Sequence, residues 1–345
     1  MTRGFILGKF LPPHAGHLFA CEVARNRVEE LTVLVCSHDA EPIRGDLRAE
    51  WMRECLPQPG CRVVHMHRDI PQEPKEHPEF WSIWKSAILE HHPEPIDWVF
   101  GSEPYIHQLA AELGAKPFLV DIERHAVPVS GTDIRSRPDR HWMHIPQPVR
   151  PYYQTHVTLL GPESAGKSVL CTELANHFAT LAIPEYGRDY DATFKRGADW
   201  TTGDFLTIAE GQRSLSRAIK RRAGPVVFED TDLLQTIVWS EALLGAAPPG
   251  LVQQLEIHSL PQLYLLLGPE MGWVDDGTRY HAEPVTRTWF FNRLLHWLER
   301  IGADWTIIAE TAWDQRRQRA TQAVRERLSQ GPDHSFRRKT VPQSA

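Results

Sequence analysis

Three stretches of this chain carry residue types and spacings suited to handling phosphate. Gly161, Pro162, Glu163, Ser164, Ala165, Gly166, Lys167 and Ser168 fit the phosphate-loop pattern G-x-x-x-x-G-K-[ST] at every fixed position. Glycines let such a backbone curl until several N–H groups face one anion. The helix that follows adds partial positive charge at its N-terminus. Lys167 then reaches the outer phosphates of a nucleoside triphosphate, and the Ser168 hydroxyl is placed to ligate Mg²⁺. The second stretch, His14-Ala-Gly-His17, sets two imidazoles three apart around a glycine. At a loop-to-helix entry both can donate N–H bonds to phosphate oxygens. A pair of capping or surface histidines is the plain alternative, and a metal site is weaker because no third ligand is near. In the third stretch Ser130 and Thr132 offer hydroxyls at a helix start, with Arg135 one turn in. An ordinary capped helix with solvated arginines has the same pattern.

These loops need a frame, and the apolar pattern supplies one. In the first half, strands are expected at 5–7, 31–35, 61–66, 98–100 and 117–120, with helices at 18–28, 47–56, 80–91 and 105–113 between them. In the second half a strand at 156–160 leads into the phosphate loop and a helix at 169–180. A strand ending near Ile183, a helix at 203–222 with Glu210 and Gln212 on its polar side, and strands at 225–228, 262–267 and 305–308 follow. Helices at 289–300 and 314–328 complete the pattern. The alternation predicts two α/β domains, each a doubly wound parallel sheet with ligands at the carboxyl ends of the strands. The expected division is 1–145, a proline-rich extended linker at 146–154, 155–329, and a polar, disordered tail at 330–345.

Composition excludes several function classes. The formal net charge is −6, so nothing draws the whole chain to nucleic acid or to an anionic membrane. No apolar run approaches the length needed to span a bilayer, and the first residues are too short for a signal peptide. Five cysteines without a C-x-x-C pair point to reduced thiols and a cytoplasmic location. Twelve tryptophans are read chiefly as core. Two acidic stretches add candidates in the second half. Glu185 and Arg188 follow the second strand in a P-E-Y-x-R pattern like that of nucleoside kinases, where Glu185 would orient a 5′-hydroxyl; a surface ion pair fits equally well. Glu229-Asp230-Thr231-Asp232 follows an apolar strand, where an acidic residue can hold Mg²⁺ near the phosphate loop.

Together, Gly8-Lys9-Phe10-x-Pro-x-His14-x-Gly16-His17 and Val129-Ser130-x-Thr132-x-x-Arg135 resemble the signature of the nucleotidylyltransferase superfamily. Followed by a phosphate-loop kinase, they make the chain similar, over about residues 3–330, to the bifunctional nicotinamide-nucleotide adenylyltransferase/ribosylnicotinamide kinase (NadR-like) family. The resemblance implies a Rossmann-like first domain that joins nicotinamide mononucleotide to ATP, giving NAD and pyrophosphate. It also implies a second domain that phosphorylates nicotinamide riboside. Both steps use Mg²⁺ and ATP.

Within that resemblance, His14 and His17 bind the ATP phosphates, as do Gly8, Lys9, Phe10, Ser130, Thr132 and Arg135. Gly131 stands where the pattern often has a second serine, which leaves one hydroxyl contact open. Trp81, Trp84 and Trp98 are candidates to stack on the nicotinamide ring, with core packing the stronger reading of each. Arg44, Arg48 and Arg53 are either a solvated face or a phosphate grip. Asp230 matches the family's metal-holding aspartate, while Asp232 would meet the nucleoside or act as base. A lid is implied around Trp273, Asp275, Asp276 and Arg279, with Arg279 neutralising transition-state charge and the others meeting the riboside. Some family members carry an N-terminal helix-turn-helix; the few residues before the first expected strand hold no visible element for it. A homo-oligomer is compatible with the sequence. A pantetheine-phosphate adenylyltransferase/dephospho-coenzyme A kinase fusion and a non-catalytic nucleotide sensor are the rival readings; neither the P-E-Y-x-R nor the lid pattern fits the first, and intact phosphate-handling residues speak against the second.

Overall fold

Short apolar runs rich in Val, Leu and Phe become parallel strands, and those at the centre of a sheet are buried on both faces. In the computed structural model, which describes residues 1–257, 259–272 and 283–331, ten such strands form two sheets. The first contains β1 (Arg3–Gly8), β2 (Glu30–Ser37), β3 (Cys61–His67), β4 (Trp98–Gly101) and β5 (Lys116–Leu119), in the order β3-β2-β1-β4-β5. The second contains β6 (Thr155–Leu160), β7 (Ala182–Ile183), β8 (Val226–Asp230), β9 (Leu263–Leu267) and β10 (Trp305–Ile308), in the order β10-β9-β6-β8-β7. Every pairing is parallel. Both sheets are doubly wound, as the alternation predicts.

Neighbouring residues on a strand serve opposite faces, so each sheet has two cores. Ile6, Val33 and Val35 pack with Ala20, Cys21, Ala49 and Met52, whereas Phe5, Leu34 and Val99 pack with Trp84, Ile88 and Leu109. In the second sheet Val157, Leu159 and Phe228 face Leu170, Leu174 and Val324. Leu160, Tyr264 and Leu266 face Phe205, Ile237 and Leu294. In each sheet the winding reverses beside the first strand of that half. β1 lies between β2 and β4, and β6 lies between β9 and β8. The crevice at the carboxyl end of such a switch point is where doubly wound sheets take their ligands. His14 and the phosphate loop follow those two strands directly.

The chain divides by contacts into Met1–Arg150 and Pro151–Ala345. Between β5 and β6 the backbone is not the extended polyproline expected of 146–154. Val149 N–H donates to the Pro146 carbonyl, and Arg150–Tyr153 form a helical turn that buries Val149 and Tyr153. Burial of Val149 and Tyr153 anchors the turn. Two helices, Leu233–Leu244 and Pro249–Ile257, are absent from the periodic reading. The first is apolar on most faces, so no amphipathic stripe announces it. Of the expected tail, only Gln330 and Gly331 are among the described residues.

Candidate functional site

At the end of β1 the chain turns sharply. Phe10 has φ +47° and buries its ring, 2% exposed, against His17 at 4.8 Å. That ring is therefore a support, and only the backbone of Phe10 is left to meet a ligand. Arg48 is wholly buried and donates to the carbonyls of Lys9, Cys36 and Ile43 and to the Glu41 carboxylate. Of the three arginines left open above, this one braces the Gly8–Lys9 turn. Arg44 pairs with Asp46 at the surface. The Lys9 ammonium is half-exposed, 3.5 Å from Glu41.

His14 is the N-cap of the helix Ala15–Arg25, and its N–H donates to His17 Nδ1 at 3.3 Å. The two rings stack at 3.7 Å. Burial, with Arg124 and His144 nearby, lowers His14 to about 4. Burial, then His14 and Arg124, holds His17 well below its ordinary value. Both imidazoles are thus neutral at neutral pH. Because His17 Nδ1 accepts, its proton sits on Nε2, where it is a donor. His14 Nδ1 is buried without a hydrogen-bond partner among the described residues.

Ser130 caps the helix Gly131–Ser136 by accepting from Asp133 N–H, and Arg135 donates to Thr132 Oγ1 at 3.1 Å and to the Leu11 carbonyl. That last bond joins the two expected phosphate stretches into one crevice. A Cβ at Gly131 would sit 2.5 Å from the Leu11 oxygen, so this approach explains the glycine where a serine was expected. Arg124 lies close enough to act on both histidines, and no motif flagged it. Each of the three tryptophans has a partner within its own unit. Trp84 is in the core and donates to the Pro71 carbonyl at 2.8 Å, and Trp81 packs edge-on against Phe80. The Arg27 guanidinium covers Trp98 at 3.9 Å.

In the second unit Gly166, at φ +85°, is the N-cap of the helix Lys167–His177; a Cβ there would lie 2.8 Å from the Trp313 ring. Glycine is therefore required twice over, by conformation and by space. Lys167 is 8% exposed and its Nζ donates to the Gly161 and Pro162 carbonyls at 2.9 and 3.0 Å. The loop thereby holds its own ammonium in place. Burial lowers the lysine while Glu185 and Asp230 hold it up. Three side chains that sequence reading missed brace the loop. Gln235 exchanges two bonds with Gly161, Arg287 donates to the Glu163 carbonyl, and wholly buried Arg316 donates to that of Ala165.

Asp230, at the end of β8, is 4% exposed, and burial raises its carboxyl against the lowering pull of Lys167, Ser168 and Arg188. Ser168 bonds to it, yet its Oδ1 has no hydrogen-bond partner among the described residues. A buried carboxylate oxygen left open beside a phosphate-loop serine suits a divalent cation. Glu185 faces the same cavity, raised first by burial and then by Asp230, with Arg188 3.5 Å from its carboxylate. Asp232 is placed differently. It accepts from Leu234 N–H as a helix cap and from the Tyr264 hydroxyl at 2.8 Å. Burial and then Glu229 raise it to about 6. Beyond Glu185 the cavity is walled by Trp200, Phe205, Ile208, Trp239 and Leu243, an aromatic and aliphatic pocket that no motif indicated. Trp273, Asp275, Asp276 and Arg279 lie outside the described residues.

Comparison with known proteins follows the same division. Residues 5–137 match the family model described as cytidylyltransferase-like, and residues 156–316 match an AAA domain. The chain is 30% identical over 348 residues to the trifunctional NAD biosynthesis/regulator protein NadR of Escherichia coli (strain K12), covering 95% of this chain and 84% of that protein. It is 28% identical over 155 residues to nicotinamide-nucleotide adenylyltransferase of Methanoculleus marisnigri, covering 43% of this chain and 87% of that one. A crystal structure of NadR protein in complex with NAD and AMP-PNP superimposes with a TM-score of 0.73 at 23% identity, over 95% of this chain and 96% of that chain. With the whole-length match at that level and both sheets in place, the chain belongs to the NadR family.

Proposed function

We propose that the second unit transfers the γ-phosphoryl group of ATP to the 5′-hydroxyl of nicotinamide riboside. The first unit then joins the resulting mononucleotide to a second ATP, releasing pyrophosphate and forming NAD. The observation that carries this is one continuous match, through both units, to a protein named for NAD biosynthesis. The match of the first unit alone to nicotinamide-nucleotide adenylyltransferases points the same way.

The residues divide the work by chemistry. In the kinase, phosphoryl transfer needs positioning and charge neutralisation more than covalent help. Lys167 sets a fixed positive charge where the outer phosphates lie. Ser168 and Asp230 would hold Mg²⁺, which supplies bridging positive charge to the phosphate oxygens when bound. Glu185, kept basic by burial, accepts the proton of the attacking hydroxyl, and the Trp200–Trp239 pocket takes the flat nicotinamide ring. By the family resemblance, Arg279 would neutralise transition-state charge, and Trp273, Asp275 and Asp276 would meet the riboside. In the adenylyltransferase the mononucleotide phosphate attacks the α-phosphorus directly. His14 and His17, with Lys9, Ser130, Thr132, Arg135 and the Gly8–Phe10 backbone, hold the triphosphate.

One reaction mixture tests the whole reading. Riboside, ATP and Mg²⁺ should yield both mononucleotide and NAD. Titratable binding with neither product would favour a sensor, and turnover of pantetheine phosphate instead would favour the coenzyme A pair.

A Glu185→Gln exchange should cut riboside phosphorylation by about 10²- to 10⁴-fold, the range of a lost general base. Stability should move the other way. A carboxyl whose folded pKa is raised loses stability as pH climbs from the ordinary carboxylate value through the raised one. The amide removes that loss, so the melting temperature at neutral pH should be equal or higher. For the same reason the acid limb of the wild-type kcat profile should lie above the ordinary carboxylate range. A limb at the ordinary value would remove Glu185 from the role.

A further inference from the structure

Gln212 lies on the helix Thr202–Lys220, and its sequence position places it on the polar side of that helix. In the fold it is 4% exposed and forms part of the kinase cavity wall. Its amide has one satisfactory arrangement. Tyr186 N–H donates to Oε1 at 2.8 Å, while Nε2 donates to Glu229 Oε1 at 2.9 Å and to the Pro184 carbonyl at 3.3 Å. A flipped amide would set N–H against N–H and carbonyl against carboxylate. Glu229 is fixed in turn. His156 Nε2 lies 2.6 Å from its other oxygen, and Ser216 donates to that oxygen at 3.2 Å. Lys220 Nζ approaches His156 Nδ1 at 3.1 Å, so the imidazole accepts there and carries its proton on Nε2, aimed at Glu229. A chain of directed bonds thus runs Lys220, His156, Glu229, Gln212, and ends on the amide of the residue after Glu185. The neighbouring Gly211 fits the same contact, since a Cβ there would lie 2.2 Å from the Tyr186 ring.

We propose that Gln212 is a positioning residue for riboside phosphorylation: it holds the segment 184–186 so that Glu185 faces the hydroxyl, and Glu229 with His156 behind it holds Gln212. The inference rests on the reading of this unit as a riboside kinase with Glu185 as proton acceptor. Gln212 itself does not receive the proton. The side chain is long, buried and satisfied on both sides, which is what a rigid support for a reacting group needs.

Gln212→Glu is the informative variant, because its effect depends on pH. Around that position lie Glu229 and Asp230 on β8, His156 on β6, Lys220 on the same helix, Glu185 on the adjoining loop, and Asp232 beyond β8. An introduced carboxyl this close to Glu229 keeps its proton to a higher pH than usual. While protonated it still donates to Glu229 and accepts from Tyr186 N–H. Once ionised it can only accept, and it repels Glu229. Relative to wild type, kcat for the riboside should therefore be near normal at low pH and fall by about 10- to 100-fold as pH rises, the scale of one buried hydrogen bond lost. Gln212→Met, similar in length and unable to bond, should lose kcat at every pH. In both, KM for ATP and adenylyl transfer to the mononucleotide should stay at wild-type values. Rates are normalised to the nucleotide-binding fraction so that partial unfolding does not imitate the effect.

Wild-type kcat in both variants would overturn the inference. So would a pH-independent loss in Gln212→Glu, or a loss that appears in the ATP KM instead. If the wild-type protein makes no mononucleotide from riboside, the kinase reading itself fails, whatever the variants do.

Discussion

Lys167→Ala should abolish riboside phosphorylation and leave NAD synthesis from the mononucleotide unchanged. The expected fall in kcat is on the order of 10²- to 10³-fold, the usual cost of removing one preorganised charge-stabilising donor. Preorganisation is visible in the geometry. The ammonium is 8% exposed and already held by the Gly161 and Pro162 carbonyls, which restricts its movement before phosphate arrives. Lys167→Arg should not rescue, because a planar fork cannot meet two adjacent loop carbonyls as a compact ammonium does. The fold should tolerate the alanine. Gly161 keeps its bond from Gln235, and the loop keeps Arg287 and Arg316 on its other carbonyls. A buried lysine whose folded pKa is lowered opposes folding while protonated, and that opposition fades only as pH rises through the lowered value toward the ordinary one. Removing it should leave the melting temperature at neutral pH equal or higher. Parallel assays of the two products and a thermal melt are sufficient measurements. Equal loss of both activities would mean that the two reactions depend on one shared lysine.

What the sequence made legible follows the range over which each signal acts. The phosphate loop, its leading strand and the histidine tetrad are local patterns, and the two doubly wound sheets follow from strands alternating with helices. Contacts between distant segments were not legible. Gln212 looks solvated on its own helix because only the fold brings Glu229 and Tyr186 to it. Asp230 and Asp232 are equivalent by composition, yet the helix that begins at Leu233 turns Asp232 into a cap and leaves Asp230 beside Ser168. Among the tryptophans, those at helical spacing, Trp81 and Trp84, are packed against their own core. Trp200 and Trp239, 39 positions apart in sequence, reach one cavity because their segments pack on the same face of the second sheet. Gly131 is another case. Its reason is the Leu11 carbonyl 120 residues earlier, and no local rule supplies that.

His17→Ala should produce the complementary phenotype: adenylyl transfer lost, riboside phosphorylation retained. The expected fall in kcat is again on the order of 10²- to 10³-fold. His17 has two functions that a pair of variants can separate. Its Nδ1 accepts from His14 N–H in the first turn of the helix Ala15–Arg25, and its Nε2–H is the donor available to phosphate. Losing the first function costs about 1 kcal/mol, as for other helix caps. Losing the second removes the transition-state contact. His17→Asn can restore the acceptor near the helix start but has no donor at the far edge of an imidazole. It should therefore recover most of the melting temperature and little of the rate. Alanine should lose both. The protonation state can be checked directly. Burial, Arg124 and His144 lower His14 to about 4, so its ring resonances in the free protein should remain those of the neutral form well below the ordinary histidine midpoint. A midpoint near 6.5 would mean the ring is solvated and charged when the nucleotide arrives, and the donor geometry assigned to the stacked pair would fail with it. Neutral rings have a physical advantage at this position. Two imidazolium cations stacked at 3.7 Å would repel each other, whereas two neutral rings can stand together and present their N–H groups to an anion that brings its own countercharge.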